Sequence, residues 1–564
     1  MHRPLSFSRT MSPSTSSVVS DLARRLASST SPGIPHAPCR RLRLPVTAPL
    51  LSAHQCVSFS STSRQRTTTT QLAAPNGLSW SQPCGLFINN EFVESSDGRT
   101  LTTVNPFNEE DICSVYAAAS EDVDKAVAAA RAAFAHSSWK RISGTDRGYL
   151  MMKLADLVDA NLQTLATIET LDNGKPYSVC RDVDVPHFSE VIRYYAGWAD
   201  KLHGQTMDVG SGKLAYTIKE PLGVCGQIIP WNYPLDMAAW KLGPALACGN
   251  TIVLKLAEQT PLSMLYVAKL VKEAGFPPGV INVINGYGRD AGVALASHPD
   301  VDKVAFTGST ATGREIMKLA ARSLKNITLE TGGKSPLIVF EDADLDQAAR
   351  WSHEGIMSNQ GQICTATSRI LVHEDVYDSF IEKFVSTVRN ISVVGDPFDK
   401  ITYQGPQITK AQYDRVLAYI QTAKDEGATI ATGGEPAPQA TGKGFFVQPT
   451  VFTNVATSMT VYREEIFGPC AAIVKFKTEE EALQMANDTT YGLGAALFTK
   501  DLARAHRVAR DIEAGMVWVN SSNDSDFRVP FGGVKQSGIG RELGEAGLAG
   551  YCNIKAVHVN LTGK

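Results

Sequence analysis

The sequence feature that most constrains the fold is a regular alternation of short apolar runs with amphipathic stretches between residues 223 and 309. The apolar runs predict buried strands at residues 223–229, 251–255, 280–284 and 303–306. The amphipathic stretches predict helices at residues 236–246 and 261–274, and a further helix that begins near Ser309. Strands that alternate with helices in this way form a parallel sheet covered on both faces. The alternation therefore predicts an α/β fold with a doubly wound, nucleotide-binding sheet.

Weaker patterns on both sides of this alternation predict further elements. Before it, we expect a hairpin of residues 86–89 and 91–93 that turns at Asn89 and Asn90, a helix from Ser120, and a longer helical region over residues 146–171. After it, a second α/β block spans residues 336–531, with helices at 345–357 and 374–390. Residues 555–561 alternate like a strand and are suited to pairing with the sheet of a neighbouring subunit.

Length and composition exclude several classes of protein. A chain of 564 residues with 43% hydrophobic and 20% charged residues indicates a multidomain globular protein, neither fibrous nor wholly disordered. With 54 basic and 57 acidic residues the net charge is −3, so we expect no nucleic-acid partner. No apolar run reaches the roughly 18 residues that a membrane-spanning helix needs. The ten cysteines include no CxxC pair, so we expect neither a metal site nor a disulfide scaffold.

Residues 1–76 differ in composition from the rest of the chain. They contain nine arginines, many serines and threonines, a single acidic residue at Asp21, and no lysine or glutamate. This composition is typical of a mitochondrial transit peptide and predicts a location in the mitochondrial matrix. The alternative is a disordered N-terminal tail on a cytoplasmic protein, which the composition also permits.

Two loops at the ends of predicted strands are candidates for cofactor binding. Residues 308–313 follow a strand, open a helix and contain Gly308 and Gly313, so their backbone N–H groups and the helix dipole favour an anion. Such a glycine pair is also compatible with an ordinary turn. Lys255 and Glu258 follow another strand, where a carboxylate can bind ribose hydroxyls and repel a 2′-phosphate. A solvated ion pair is the alternative there.

Three residues are candidates for catalysis. Cys364 lies in a polar, glycine-containing loop, where a stabilised thiolate would be a nucleophile, although an inert packing role is also possible. Glu330 precedes two glycines that leave room for substrate, or it is a helix cap or salt-bridge partner. Asn232 lies between two prolines, which suits either an oxyanion donor or an Asx turn. A cysteine hydrolase would instead need a histidine near Cys364, and His353 and His373 are near it only in sequence.

Taken together, these segments resemble the aldehyde dehydrogenase superfamily. The motifs that carry the resemblance, in order, are residues 229–234 (IPWNYP), 329–336 (LETGGKSP), 361–364 (GQIC), 464–469 (EEIFGP), 530–533 (PFGG) and 537–542 (SGIGRE). The resemblance extends from about residue 80 to the C-terminus and is strongest to NAD-dependent, broad-specificity enzymes, including mitochondrial forms.

This resemblance implies a Rossmann-like NAD-binding domain, an α/β catalytic domain and a small β oligomerisation element. The NAD-binding domain would comprise residues 77–202 and 222–332, and the catalytic domain residues 333–548. The oligomerisation element would comprise residues 203–221 and 549–564. We expect a homo-oligomer, either a dimer or a tetramer.

The resemblance also implies roles for individual residues. Cys364 would be an ionised nucleophile and Glu330 the general base, while Asn232 and the backbone N–H of Cys364 would form the oxyanion hole. The implied NAD-binding residues are Ile229, Trp231, Lys255, Glu258, Gly308, Ser309, Gly313, Gly332, Glu465 and Phe467. The implied wall of the substrate tunnel consists of Tyr233, Asp236, Trp240, Ile363, Thr365, Ser525 and Phe531.

The implied reaction is NAD-dependent oxidation of an aldehyde to a carboxylic acid. A cysteine thiohemiacetal would transfer hydride to NAD, and water activated by Glu330 would hydrolyse the thioester. A CoA-acylating relative would not need this base. Short-to-medium aliphatic aldehydes are the expected substrates, as for a broad-specificity aldehyde dehydrogenase (NAD⁺). The alternatives are an enzyme for a polar, amino or pathway-specific aldehyde, and a catalytically idle binding protein on the same scaffold.

Two residues depart from the pattern of the family. Thr331 stands where leucine is common, which would make the setting of Glu330 more polar. Asp236 replaces an apolar residue, and Asp524 and Asp526 lie beside Ser525. These acids suggest a tunnel mouth that accepts polar or cationic aldehydes. The alternative is that Asp236 forms a salt bridge at the surface.

Overall fold

The computed structural model describes residues 68–563, except residues 438, 440 and 441. Its strands, in chain order, are β1 (Thr69–Ala73), β2 (Ser79–Pro83), β3 (Leu86–Ile88), β4 (Glu91–Val93), β5 (Thr100–Asn105), β6 (Glu110–Tyr116), β7 (Thr206–Met207), β8 (Lys213–Pro221), β9 (Val224–Ile228), β10 (Thr251–Lys255), β11 (Ile281–Ile284), β12 (Lys303–Thr307), β13 (Asn326–Glu330), β14 (Pro336–Val339), β15 (Arg369–His373), β16 (Thr429–Thr432), β17 (Thr450–Thr453), β18 (Cys470–Phe476), β19 (Gly494–Phe498), β20 (Met516–Val519), β21 (Gly538–Ile539) and β22 (Cys552–Asn560).

The α-helices over the same residues are α1 (Ser120–Ala135), α2 (Ser137–Lys140), α3 (Gly144–Ala160), α4 (Leu162–Asn173), α5 (Tyr177–Val179), α6 (Val185–Ala196), α7 (Pro234–Ala247), α8 (Leu262–Ala274), α9 (Val293–Ser297), α10 (Thr310–Ala320), α11 (Leu345–Met357), α12 (Tyr377–Ile391), α13 (Lys410–Asp425), α14 (Thr460–Arg463), α15 (Glu479–Asn487), α16 (Leu502–Asp511) and α17 (Ala546–Ala549). Short π-helical turns at Cys180–Asp184 and Gly288–Gly292 precede α6 and α9. None of the helices in the described part of the chain is long and apolar enough to cross a membrane.

The first large sheet has the predicted doubly wound architecture. Its strand order is β21-β13-β12-β9-β10-β11-β3-β4, and the five strands from β9 to β13 are parallel. Every residue of β9, β10, β11 and β12 is buried, because helices cover both faces of the sheet. The chain runs from β9 outward through β10 to β11 and then returns to place β12 on the other side of β9. This reversal leaves a crevice at the carboxyl ends of β9 and β12.

A second large sheet organises the following part of the chain. Its order is β16-β17-β18-β15-β14-β19-β20, and all its pairings except β16 with β17 are parallel. Helix α11 has the predicted bounds, and Asp344 caps it by accepting hydrogen bonds from the N–H groups of Asp346 and Gln347. The segment that we assigned to the catalytic domain also contributes β21, which pairs with β13 at the edge of the first sheet.

A three-stranded sheet joins the C-terminus to residues 206–221. Strand β22 pairs antiparallel with β8 over nine residues, and β8 pairs with β7. We expected residues 555–561 to be suited to a neighbouring subunit, and here they pair within the chain. The outer side of β22 is an edge of this sheet.

Asparagine side chains determine local structure at two predicted elements. The hairpin of β3 and β4 turns at Asn89 and Asn90 as predicted, with φ of 55° and 64°, because asparagine tolerates the left-handed region. The helical region predicted over residues 146–171 is present and ends at Gly174, and it is divided into α3 and α4 at Asn161. The side chain of Asn161 donates to the carbonyl of Leu157 at 2.8 Å, a local bond that competes with helix continuation.

The last residues of the segment predicted as a leader, residues 1–76, include a strand. The threonine-rich run enters β1, which pairs antiparallel with β2, because β-branched threonine favours extended backbone. Leu72 on β1 packs against the main hydrophobic core. Residues 1–67 of the predicted transit peptide lie outside the described residues.

Candidate active site

The candidate site lies at the carboxyl edge of the first sheet, where three segments meet. Strand β9 is followed by residues 229–234, β12 by the N-terminus of α10, and β13 by residues 331–335. Ligands of doubly wound sheets bind in the crevice at such a reversal of strand order. The reversal between β9 and β12 therefore marks this edge as the binding site.

Asn232 connects the segment after β9 to the loop that carries Cys364. The Asn232 side chain is buried and its Nδ2 donates to the carbonyl of Gln362 at 2.8 Å. In return, Nδ2 of Asn359 donates to the carbonyl of Asn232 at 3.1 Å. These two hydrogen bonds hold Asn232 beside the residues that immediately precede the cysteine.

The backbone before Cys364 adopts an unusual conformation. Asn359, Gln360 and Gly361 have φ of 47°, 55° and 69° in succession. A Cβ at Gly361 would lie 2.1 Å from the carbonyl oxygen of Gly468, so only glycine fits. Three consecutive left-handed residues store strain, which is common where a backbone presents a reactive group. They place Cys364 half-buried at the edge of the core.

The electrostatic setting of Cys364 opposes ionisation. Burial and, less strongly, the carboxylates of Glu330 and Glu465 raise the pKa of the thiol to about 12. The backbone N–H groups of Thr365 and Cys364 act in the opposite direction. The expectation of an ionised sulfur is therefore wrong for the protein alone, in which the thiol is protonated at neutral pH. A proton acceptor is needed to make it a nucleophile.

Glu330 ends β13 and is buried close enough to Cys364 to affect its titration. Its Oε2 has no hydrogen-bond partner among the described residues. Burial raises the pKa of this carboxyl well above its usual value, and the carboxylate of Glu542 adds to the shift. A Cβ at Gly532, where φ is 150°, would lie 2.7 Å from Oε1 of Glu330, so glycine is needed there.

Two residues that affect Glu330 were missed in the sequence. Nζ of Lys241, on α7, donates to Oε1 of Glu542 at 2.7 Å and to Oγ1 of Thr307 at 2.6 Å. Lys241 lowers the pKa of Glu330 and Glu542 raises it. Because 301 residues separate Lys241 from Glu542, no local pattern could have revealed the pair.

We had expected Thr331 to make the surroundings of Glu330 more polar, and the structure shows that it does not. Its hydroxyl donates to the carbonyl of Gln536 at 2.6 Å, and its N–H donates to the carbonyl of Ser537 at 2.9 Å. The hydroxyl and the N–H of Thr331 are therefore used to hold the loop after β13 against residues 536–537. Burial is the first cause of the raised Glu330 pKa.

Glu465 and two glycines form a cradle of the kind that a dinucleotide needs. Oε1 of Glu465 accepts a hydrogen bond from the N–H of Gly333 at 3.1 Å. A Cβ at Gly332 would lie 2.3 Å from Oε2 of Glu465, so a side chain there would displace the carboxylate. Phe467 follows with φ of 60°, and its ring centroid lies 5.3 Å from that of Trp231.

The other predicted cofactor residues lie along the same edge. Ser309 caps α10 by accepting a hydrogen bond from the N–H of Thr312 at 3.2 Å, and Gly313 packs against Thr331. Lys255 ends β10, and its buried Nζ lies 3.6 Å from Oε2 of Glu258, whose side chain is 34% exposed. The N–H of Ile229 donates to the carbonyl of Lys255 at 3.2 Å. Carboxylates for riboses and a helix N-terminus for phosphates match the chemistry of NAD.

No group of His, Cys, Asp and Glu suited to a metal ion occurs in the described part of the chain.

The residues assigned to the substrate wall only partly come together. The rings of Trp240 and Phe531 are 4.7 Å apart at their centroids, and both residues are buried. Tyr233 packs beneath Nζ of Lys175, which lies 3.6 Å from its ring centroid. Ile363 and Thr365 flank the nucleophile, whereas Ser525 is exposed.

His187 contacts this aromatic wall and was not among the predicted site residues. Its Nε2 accepts a hydrogen bond from Nε1 of Trp240 at 3.0 Å, and its ring also lies against Phe527. His187 lies on α6 outside every recognised motif, so its contact with Trp240 could not be predicted from the sequence.

Asp236 is neither in a surface salt bridge nor at an acidic tunnel mouth. The residue is 7% exposed, and its Oδ1 has no partner among the described residues. Burial raises its pKa well above the usual value, and the nearby carboxylates of Asp184 and Glu169 act in the same direction, opposed by Lys175. Lys175 itself donates to Asp184 at 2.6 Å. Helix α7 starts beside the site, so its first turn buries this acid.

The acidic loop around Ser525 is largely neutralised. Asp526 forms a two-point ion pair with Arg528 at 2.8 and 2.5 Å, which lowers the pKa of the carboxyl to about 2. Asp524 is exposed to solvent. This loop therefore does not present the paired acids that we expected at the tunnel mouth.

Comparisons with known proteins agree with the geometry. The profile described as "Aldehyde dehydrogenase family" matches residues 92–557. An aldehyde dehydrogenase of Emericella nidulans is 55% identical over 485 residues, covering 86% of this chain and 96% of that protein. The mitochondrial aldehyde dehydrogenase of Homo sapiens is 53% identical, covering 85% and 92%. A Bacillus cereus aldehyde dehydrogenase solved with NAD⁺ superposes with a TM-score of 0.83 at 49% identity, covering 85% of this chain and 97% of that one.

Proposed function

The chain belongs to the aldehyde dehydrogenase family and uses NAD as its cofactor, and we propose that it converts aldehydes to free carboxylic acids with Cys364 as the nucleophile. The observation that carries the proposal is the pair of links to the Cys364 loop. Asn232 is hydrogen-bonded to Gln362, and the buried carboxyl of Glu330 raises the pKa of the thiol. A nucleophile, an amide donor and a base of raised pKa are the groups that acyl chemistry requires.

Glu330 supplies the base that Cys364 needs. Because the thiol pKa is about 12, its proton must be removed as the sulfur attacks. The unpartnered Oε2 of Glu330 is available, and the raised pKa makes this carboxylate a stronger base than an exposed one. The proton passes from Sγ to Oε2, directly or through one water, and Sγ bonds to the aldehyde carbon.

Asn232 then stabilises the charge that develops on the aldehyde oxygen. A side-chain amide has two N–H donors, and one of those of Asn232 is used by Gln362. The second, together with the backbone N–H of Cys364, would receive the oxyanion. Donors held in place before the reaction cost no reorganisation in the transition state.

NAD, when bound, supplies the acceptor for the hydride that leaves the thiohemiacetal carbon. The thioester that remains on Cys364 must be hydrolysed to release the acid. Glu330 first releases the proton it took from Cys364 to solvent and then takes a proton from water. The resulting hydroxide attacks the acyl carbon, and the Cys364 sulfur leaves and takes up the proton held by Glu330. Its burial beside Cys364 excludes bulk water and keeps its pKa raised, both of which favour this role.

The residues along the carboxyl edge would hold the cofactor. Glu465 and Gly332 suit the nicotinamide ribose, with Phe467 and Trp231 near the ring. Lys255 and Glu258 suit the adenosine ribose, and a carboxylate there disfavours a 2′-phosphate. Ile229, Gly308, Ser309 and Gly313 would line the phosphates, since they follow β9 and β12 at the helix N-terminus.

We propose short-to-medium aliphatic aldehydes as substrates of this broad-specificity type. The paired rings of Trp240 and Phe531 support an apolar wall. A polar or amino aldehyde is the second candidate, and the observation in its favour is the unpartnered Oδ1 of Asp236. Lys175, close to Asp236, would repel an ammonium group and argues against it.

We further propose a homo-oligomer in the mitochondrial matrix. The arginine-rich, acid-poor composition of the N-terminal segment supports import. The unpaired edge of β22 is suited to a second subunit. Light scattering on the purified protein distinguishes a monomer from a dimer or a tetramer.

The experiment that tests this function measures NADH formation from acetaldehyde by its near-ultraviolet absorbance. The protein should form NADH and acetate in equal amounts, and Cys364→Ala should form neither. A chain that binds NAD but forms no NADH with any aliphatic or amino aldehyde would be a binding protein on this scaffold. NADH formed without free acid would contradict the hydrolytic role of Glu330.

A further inference from the structure

Two thiols meet where the C-terminal end of α7 approaches the start of β22. Cys248 is the residue that follows α7, and Cys552 is the first residue of β22. Both thiols donate to the carbonyl oxygen of Leu548, at 3.7 and 3.5 Å. Each thiol also shifts the pKa of the other. The shared acceptor places both sulfurs around one carbonyl oxygen.

The two thiols differ in exposure and in charge. Cys248 is buried, whereas Cys552 is half-exposed. The neighbouring thiol of Cys248 and, more weakly, the charge of Lys219 lower the pKa of Cys552 to about 7. The neighbouring thiol of Cys552 and burial raise the pKa of Cys248, and Arg147 opposes them. The thiol that solvent can reach is therefore the one that ionises, with its partner behind it.

We propose that Cys248 and Cys552 form a redox-sensitive modification site, which a peroxide converts into an intramolecular disulfide. The Cys552 thiolate attacks one peroxide oxygen, breaks the O–O bond and becomes a sulfenic acid, while the other oxygen leaves as hydroxide and takes up a proton. The Cys248 sulfur then attacks the Cys552 sulfur, loses its proton and displaces the oxygen as water. Two thiols lose two electrons in all, and one peroxide is reduced.

The other cysteines provide contrasts within the same chain. Cys84 and Cys113 also shift the pKa of each other, but there the thiol of lowered pKa, Cys84, is buried. Its reaction with peroxide should be slower, because access and ionisation do not coincide. Cys364 has a raised pKa and should also react more slowly.

The disulfide would join two elements that serve the proposed site and the subunit edge. Helix α7 begins two residues after Asn232, and β22 forms the edge of the three-stranded sheet. A bond between their ends restrains β22 relative to the first large sheet. This inference does not depend on aldehyde oxidation, so it can fail or succeed separately from the proposed function.

The test is peptide mapping of the full protein after exposure to hydrogen peroxide. Trypsin releases Cys248 in residues 242–255 and Cys552 in residues 542–555, each as the only cysteine of its peptide. We expect these two peptides to appear linked, lighter by two hydrogens, and to separate again with dithiothreitol. The link should form faster than one between residues 67–99 and 100–125, which hold Cys84 and Cys113.

Two serine variants test the order of the steps. In Cys248→Ser, oxidation should stop at a sulfenic acid on Cys552 that dimedone traps. In Cys552→Ser, Cys248 should remain a thiol under the same conditions. NADH formation by both reduced variants should equal that of the unsubstituted protein. The proposal is overturned if peptides 242–255 and 542–555 stay unlinked in the unsubstituted protein while Cys364 oxidises, a result that needs no variant.

Discussion

The side-chain amide of Asn232 donates to the main-chain carbonyl of Gln362 at 2.8 Å, two residues before Cys364. This bond ties the segment after β9 to the loop that carries the proposed nucleophile. The same side chain retains a second N–H for an oxygen bound near the sulfur. Asn232 therefore has both a structural bond and a proposed role as an oxyanion donor, and the two can be separated by experiment.

We expect Asn232→Ala to lower kcat for acetaldehyde by about 10²- to 10³-fold, because one preorganised donor to the oxyanion is lost. The KM for NAD should change little, since the cofactor residues are untouched. Thermal unfolding of the variant serves as the control for the lost Gln362 bond. A kcat within about threefold of the unsubstituted enzyme would exclude the oxyanion role.

Glu542→Gln should move the pH dependence of kcat to lower pH. The charge of Glu542 raises the pKa of Glu330, while Lys241 and Arg541 lower it. Removing that charge leaves only the lowering groups, so Glu330 ionises at lower pH and the rising limb of the profile follows it. Glu545→Gln, an exposed neighbour in the sequence, is the matched control and should not move the limb. A limb that stays in place or moves upward in Glu542→Gln contradicts the role of Glu330 as the base.

Asp236→Leu should stabilise the protein by about 1–3 kcal/mol, because it removes a buried carboxyl with an unpartnered oxygen. A carboxyl whose pKa is raised on folding binds a proton more tightly in the native state. Its contribution to stability is then lost as pH rises from the ordinary pKa towards the raised one. The gain from Asp236→Leu should therefore be larger at pH 8 than at pH 5, as measured by urea unfolding. Destabilisation at pH 8 would instead mean that Asp236 is an essential ionised partner of Lys175.

The same substitution tests the substrate class. With Asp236 buried near Lys175, the ratio of kcat/KM for hexanal to that for 4-aminobutanal should change by less than about threefold. A changed contact in a binding pocket alters such ratios by roughly 10- to 200-fold. Ser525→Ala, at an exposed wall position, serves as the control. A large gain in preference for hexanal would favour the amino-aldehyde alternative.

Local sequence signals predicted elements where a short pattern determines the structure. The left-handed pair Asn89–Asn90 determined the hairpin of β3 and β4, and α11 has the bounds predicted for it. The break at Asn161 was missed because the apolar pattern continues across it, while one side-chain bond favours the interruption. Strand β1 was missed because threonines suit both a leader and a strand.

Long-range relationships could not be predicted in this way. The pair Lys241–Glu542 and the surroundings of Asp236 depend on chain segments that meet only in the folded protein. The raised pKa of Cys364 has the same origin, since burial and two distant carboxylates determine it. Motifs identified the candidate residues. Their pKa values depend on burial and on neighbouring charges, which are set only in the folded protein.

The most direct test of the central claim is mass analysis of Glu330→Gln mixed with NAD⁺ and excess acetaldehyde. If Cys364 forms a thioester that Glu330 hydrolyses, NADH should appear in a burst of about one equivalent per site. The peptide that contains Cys364 should carry an acetyl group during this burst, and Cys364→Ala should give neither signal. A burst without acylated Cys364, or acetylation of a different residue, would contradict the account.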